Sequence, residues 1–406
     1  MRVTFTITLL LLLLAACSGA QNTASVSAAS PWSRQIADSF LLRHPGAVTY
    51  DSGSPSQKWN YEQGVMLLAL YQQWLHTNDS RYLKFVEANL DQYVEENGSI
   101  KTYKLADYNC DNVCPGRTLI EAFNETGSNK FRFAADTLRA QLAGQPRTNE
   151  GGFWHKKIYP NQMWLDGLFM AEPFYAMYAK QFNQPAAFDD IANQFLWLVR
   201  HTRDPKTGLL YHGWDESKQQ KWANPQTGCS PSFWGRSMGW YAMGLIDVLD
   251  YFPADHPKRD SLIALLKDWS AAILKYRDQQ SGLWYLVVDR KNAEGNYLEA
   301  SASCMYAYVF AKGVNKGYLD KNFLSASETT FRGVIAKYGT RDANGFLDLA
   351  GTCKSAGLGG TPYRDGSLEY YASEPQHVND MKALGPLLLA AIELENAGLN
   401  LTTISK

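Results

Sequence analysis

The run Ile158-Tyr159-Pro160-Asn161-Gln162-Met163-Trp164-Leu165-Asp166-Gly167-Leu168-Phe169-Met170-Ala171-Glu172-Pro173-Phe174 sets Asp166 among aromatic, Leu and Met side chains. A carboxylate there loses water, and burial raises a carboxyl pKa strongly. If Asp166 opens a helix, the dipole pulls the other way, by only about 0.3–1 kcal/mol. The balance predicts a carboxyl that holds its proton near neutral pH, as a general acid must. The alternative is a first-turn Asp that completes a helix start.

Outward from this run, a helical pattern over 166–181 is followed by another over 186–201. Such pairs recur at 61–76 with 79–96, 115–125 with 128–143, 238–251 with 257–276 and 299–313 with 320–337. A last helix, 379–396, pairs with one at the start of the chain. There Ser30-Pro31 reads as an N-cap and first helical position, and Trp32, Ile36 and Phe40 recur every four residues. The stretch from Gly46 to Ser56 reads as a loop. The connectors repeat as well: Arg203-Asp204 to Gly208-Leu209 matches Arg277-Asp278 to Gly282-Leu283, with a shorter copy at Arg341-Asp342 to Gly345-Phe346. Each turns at Gly into a short extended run. Six such helix pairs can close into a ring, an all-α (α/α)6 barrel of six helical hairpins with short extended connectors. An open solenoid is the alternative. No linker divides residues 31–406, which read as a single domain.

The chain has 406 residues, 45% hydrophobic and 13% aromatic, with 12 Trp and 23 Tyr. That composition suits a carbohydrate cleft and equally a large core. A net charge of −1 argues against a nucleic-acid-binding surface. It does not argue against an anionic small ligand, which a single Arg can hold. The apolar run Ile7 to Leu14 falls short of the ~20 residues that span a bilayer and reads as a signal-peptide core. Leu14-Ala15-Ala16-Cys17 looks like a bacterial lipoprotein cleavage box, making residues 1–17 a leader that ends at a lipidated Cys17. Ordinary cleavage near Ala15–Ala20 is the alternative. Residues 18–30 then form a flexible tether. This reading anchors the protein to a bacterial membrane, in the periplasm or at the cell surface. Of the other cysteines, Cys110, Cys114, Cys229, Cys304 and Cys353 are odd in number, and Cys110 and Cys114 are near enough in sequence to bridge. Scattered His and the absence of paired Cys-x-x-Cys give no expectation of a metal or other cofactor.

Five motifs in order carry a family resemblance: Tyr-Pro-Asn-Gln-Met-Trp-Leu-Asp-Gly-Leu (159–168), Phe-Trp-Gly-Arg-Ser-Met-Gly-Trp (233–240), Glu-Ala-Ser-Ala-Ser (299–303), Arg-Asp-Gly-Ser-Leu-Glu-Tyr-Tyr (364–371) and Asn-Asp (379–380). From about Trp59 to its end the chain resembles the unsaturated rhamnogalacturonyl hydrolases of glycoside hydrolase family 105. These are relatives of the unsaturated glucuronyl hydrolases of family 88. The resemblance implies the closed barrel, with Asp166 as general acid and base. It matches Asp111 to a family Asp that contacts substrate and the catalytic acid; a turn Asp is the alternative. If Asp111 and Asp166 lie close, they share one proton. The resemblance also makes His155 and His212 substrate-contacting, against the alternative of backbone-satisfied histidines. Arg236 offers a planar fork for a carboxylate, and Trp234 a face for a sugar, with Met238 in the same motif. The alternative pairs Arg236 with an acid such as Asp247 and buries Trp234 in the core. Trp59, Tyr61 and Trp164 are expected to line the cleft, and Lys382 to be structural.

The implied reaction is hydration of the double bond in an unsaturated uronic acid at the non-reducing end of lyase-generated pectin or rhamnogalacturonan oligosaccharides. One carboxyl can serve both proton transfers, so the two-carboxylate spacing rule need not apply. Two rivals remain: an inverting glycosidase that uses Asp111 and Asp166 as base and acid, and a lipid-anchored glycan-binding protein.

Overall fold

Five helix pairs follow one another along the chain. Helix α2 (Tyr61–Thr77) packs on α3 (Ser80–Tyr93), α4 (Gly116–Thr126) on α5 (Asn129–Gly144), α6 (Leu165–Gln181) on α7 (Ala187–Thr202), α8 (Gly235–Val248) on α9 (Arg259–Leu274) and α10 (Ala300–Asn315) on α11 (Asn322–Tyr338). The sixth pair joins the two ends of the chain: α1 (Trp32–Arg43) lies on α13 (Met381–Asn396). One short helix, α12 (Leu368–Ser373), sits in the last connector and has no counterpart in the sequence pattern. The first member of each pair touches the next, in the order α2, α4, α6, α8, α10, α13, and α13 meets α2 again. The ring is closed, an (α/α)6 barrel, and the open solenoid is excluded. This computed structural model describes residues 26–27, 29–48 and 58–401; the leader, Cys17 and most of the proposed tether lie outside them. Among the described residues no helix is long and apolar enough to cross a membrane.

Burial separates the two rings. Every residue of α8 is buried, as a helix packed on all sides requires. On α9 and α5 a single face is covered. Side-chain caps fix several inner helix starts: Asn60 accepts from Gln63 N at 3.2 Å, Glu299 from Ala302 N at 2.7 Å and Asp380 from Lys382 N at 2.9 Å. Each such cap is worth about 0.5–2 kcal/mol. Helix α1 starts one residue later than its sequence suggests, with Pro31 as the cap residue and Trp32 first in the helix.

Deep in the ring sits a paired charge network. Asp247 accepts from Arg117 Nη1 at 2.7 Å, Lys312 Nζ at 2.6 Å and Tyr308 Oη at 2.6 Å, and Lys312 also reaches Asp250 at 2.7 Å. Burial pushes the Asp247 pKa up, but Lys312 and Arg117 outweigh it and bring it to about 2. Asp247 is therefore the partner of Arg117 and Lys312, not of Arg236.

Extended connectors join the mouth of the ring. Strand β1 (Gln162–Trp164) pairs antiparallel with β2 (Gly213–Asp215), and Leu165 N donates to His212 O at 3.0 Å. That pairing fastens the start of α6 to the connector that carries His212. Strands β3 (Gly339–Arg341) and β4 (Leu347–Leu349) form a second pair, and β5 (Thr352–Cys353) with β6 (Gln376–His377) a third. Cys110 and Cys114 do not bridge. Both are buried free thiols: Cys110 Sγ turns toward Trp154 O at 3.5 Å, and Cys114 Sγ toward Tyr61 O at 3.9 Å.

Candidate active site

The starts of α2, α6 and α8 and several connectors converge on a cavity of about 210 Å³. Asp166, second residue of α6, lines it and is 9% exposed. Behind it lies His212, fully buried, with Nε2 3.1 Å from Asp166 Oδ2, at ion-pair distance but off the line of a hydrogen bond. The other ring nitrogen, Nδ1, is 2.7 Å from Tyr371 Oη. Burial pushes the Tyr371 hydroxyl far up, so it keeps its proton. The His212 ring is thus held between Tyr371 and the Asp166 carboxylate.

This arrangement reverses the expected pKa of Asp166. Burial does raise it, but the adjacent His212, with His155 behind it, outweighs burial and leaves the carboxyl below its usual value. The hydrophobic run around Asp166 is real; the histidine that answers it comes from a connector 46 positions later. His212 also departs from its expected role, since it does not line the cavity and supports Asp166 from behind.

Asp111 sits in a 3₁₀ turn, Cys110–Asn112, held by Asn109 Oδ1 accepting from Asp111 N at 3.0 Å. Its Oδ2 is paired with Lys156 Nζ, and its Oδ1 is 3.4 Å from His155 Nε2. These contacts give Asp111 a cationic partner of its own. Burial, aided by Lys156, draws the His155 pKa to about 4 against the pull of Asp111, so the ring is neutral at neutral pH. His155 and Tyr159 both stack on Trp164 with ring centres 4.7 Å apart. The three parallel rings form one aromatic wall.

The opposite wall is built on α8. Arg236 is 2% exposed and lies over Trp234 with 4.8 Å from guanidinium carbon to ring centre. Its Nη1 donates to Ser301 Oγ at 3.3 Å and to the Cys353 carbonyl, while Glu299 stands 3.9 Å away. Glu299 is itself occupied by Ser301 Oγ, Ala302 N and Cys353 N. Trp234 stacks on Tyr371 at 5.4 Å, and its indole N–H has no hydrogen-bond partner.

Of the residues singled out in the sequence, Asp166, Asp111, His155, Arg236, Trp234, Trp164 and Tyr61 line this one cavity. Met238 does not: it points into the core between helices, with no exposed surface. Trp59 does not either; its indole donates to Asn112 O at 2.8 Å and braces the turn that carries Asp111. Lys382 is buried and tied to Glu62 and Asp380. The cavity adds Lys156, Tyr159, Met170, Trp240, Ser355, Ala356 and Arg364. Tyr159, Trp240 and Arg364 stood inside the quoted motifs, so the signal for them was present. Ser355 and Ala356 follow β5 in a connector with no periodic pattern.

The closed helical ring and its acid-bearing, aromatic mouth match a family of glycoside hydrolases. The family described as Glycosyl Hydrolase Family 88 matches residues 32–397, and the chain belongs to it. A solved family 105 glycoside hydrolase of C. acetobutylicum ATCC 824 is 43% identical, covering 90% of this chain and 100% of that one, with a TM-score of 0.86. A possible family 105 member from Salmonella enterica serovar Paratyphi A is 25% identical over 90% of this chain and 93% of its own, with a TM-score of 0.72. The unsaturated rhamnogalacturonyl hydrolase YesR of Bacillus subtilis strain 168 is 27% identical over 60% of this chain and 68% of its own length.

Proposed function

We propose that this enzyme releases the unsaturated uronic acid from the non-reducing end of lyase-generated pectin or rhamnogalacturonan oligosaccharides by vinyl-ether hydration. The observation that carries the reading is a single cavity with Asp166 on one wall and the buried cation Arg236 lining it as well. The likeness to the unsaturated rhamnogalacturonyl hydrolase of B. subtilis supports the choice of substrate. Arg236 takes the uronate carboxylate, and the aromatic wall of Trp164 and Tyr159 meets the sugar. Asp166 protonates carbon 4 of the double bond, and positive charge builds at carbon 5 and the ring oxygen. The Asp166 carboxylate then accepts a proton from the water that attacks carbon 5. The hemiketal formed opens and releases the neighbouring sugar.

The Asp166 carboxyl, held below its usual pKa by the protein alone, fits this sequence of events. A uronate that enters brings negative charge and displaces water, and both raise the pKa of a neighbouring carboxyl. Asp166 is thereby loaded with its proton when substrate is in place. Asp111, held by Lys156 and His155, orients the sugar or water; that pairing disfavours it as the free base an inverting mechanism needs. Residues 31–406 act as one catalytic domain, and a lipidated Cys17 holds it at a bacterial membrane, in the periplasm or at the cell surface. Replacing Cys17 with Ser would move the protein from the membrane to the soluble fraction.

The deciding assay follows the absorbance of the conjugated carboxylate. Loss of that band on turnover of a lyase-generated disaccharide is the expected result. An unchanged band with new reducing ends would mean ordinary glycoside hydrolysis and end the proposal.

A further inference from the structure

A second cavity, about 860 Å³, adjoins the first. The two share Tyr159 and Arg364 and no other lining residue. These side chains form a fixed neck. Arg364 Nη2 donates to Tyr159 Oη at 3.0 Å, and its Nε donates to Gly359 O at 2.8 Å. Two glycines make room for the guanidinium: a Cβ at Gly357 would stand 2.4 Å from Arg364 Nη1, and one at Gly360 would stand 3.2 Å from Nη2. Any larger residue at 357 would displace the guanidinium from the neck.

The inner cavity is below the ~300–1,000 Å³ of common small-molecule sites, whereas the outer one falls within that range. A terminal sugar in the inner cavity cannot run deeper, because the ring below is filled by buried helix faces and the Asp247 network. The rest of an oligosaccharide leaves on the mouth side, where Tyr159 and Arg364 border the outer cavity. Beyond the neck it meets a lining suited to hydroxyl-rich residues: Gln220, Ser373 and Glu374, with the rings of Tyr363 and Tyr370. Tyr363 is 45% exposed at the rim, an open face for a sugar ring.

We propose that the outer cavity is a binding site for the sugar residues beyond the one next to the unsaturated uronate, so that the enzyme prefers oligosaccharides longer than a disaccharide. This rests on the inner cavity being the uronate site.

The test compares unsaturated disaccharide and tetrasaccharide from the same lyase digest, followed by loss of the conjugated band. Wild-type kcat/KM should be roughly tenfold higher for the tetrasaccharide, the gain that one or two added hydrogen bonds supply. Ser373→Trp, at an exposed rim position, should fill the outer cavity and remove that gain while leaving the disaccharide rate unchanged. Gln220→Ala should reduce the gain by roughly two- to threefold, as loss of one hydrogen bond does, and stands in should the Trp variant fail to fold. Equal kcat/KM for the two lengths in the wild type, or a length ratio untouched by both variants, would overturn the proposal. If no unsaturated substrate of either length loses its band, the failure lies with the reading of the inner cavity instead.

Discussion

Two buried aspartates on neighbouring inner helices meet opposite fates. Asp247, on α8, has both carboxylate oxygens taken by Arg117, Lys312 and Tyr308 at 2.6–2.7 Å. Asp166, on α6, faces a cavity, and its Oδ2 has a histidine at 3.1 Å without a formed hydrogen bond. Burial alone would raise both pKa values, yet both are lowered, Asp247 to about 2 by two full cations and Asp166 by an imidazole. The Lys and Arg beside Asp247 hold their charge across the neutral range, whereas Asp166 Oδ2 has no formed hydrogen bond. The first carboxylate is therefore locked and the second adjustable, which separates a structural acid from a working one when burial is the same.

The comparison predicts different losses on substitution. Asp166→Asn should lower kcat by at least ~10²–10⁴-fold, the span of general acid catalysis, with thermal stability near wild type. Near-normal turnover on the unsaturated disaccharide would break the assignment. Asp247→Asn should do the reverse. It strands Arg117 and Lys312 in the interior and should cost about 3–5 kcal/mol in urea unfolding, with little change in KM for the folded fraction.

The two acids also differ in pH response. Asp247 has a folded pKa below its unfolded value, so its contribution is present above about pH 4 and is lost as pH falls through about 2. On the order of 2 kcal/mol should vanish across that window in acid unfolding of the wild type, and the Asp247→Asn variant should lack this component. For Asp166 the readout is the pH–rate profile. With His212→Asn, the main opposition to burial is gone, leaving His155 and a backbone hydrogen bond, and the Asp166 pKa rises. The alkaline limb of kcat should move to higher pH, even as the rate itself falls. A limb that stays in place would remove His212 from the control of Asp166. The smallest expected effect is at Trp59: Trp59→Phe loses the hydrogen bond to Asn112 O and should cost about 1–2 kcal/mol of stability. Its kcat/KM should remain near wild type, which a cleft-lining Trp would not allow.

The ring was legible because helices that alternate between one buried face and burial all round leave a period that sequence can carry. Closure was legible too, since the unpaired patterns at 32–40 and 379–396 needed each other, and α1 does lie on α13. The mouth was legible only where a motif marked it. Asp166, Arg236 and Trp234 sit where the 159–168 and 233–240 runs pointed, while Met238, on the same helix as Arg236, belongs to the core. The sign of the Asp166 pKa was not legible, because it depends on His212 being brought alongside by the β1–β2 pairing. Lys156 was missed for a similar reason. A single Lys beside His155 has no pattern of its own, and only folding shows that it faces Asp111.

The rim of the cavity is assembled piecemeal. Tyr61 comes from the first hairpin, Asp111 from the loop before the second, Asp166 from the third, Arg236 from the fourth, and Ser355 and Arg364 from the last connector. The contributors come from helix starts and connectors of different hairpins, above a scaffold in which Asp247, Arg117 and Lys312 neutralise one another. A lineage could thus retool one edge of the mouth for a new oligosaccharide by altering a single loop, while the remaining edges and the supporting wheel of helices stay untouched.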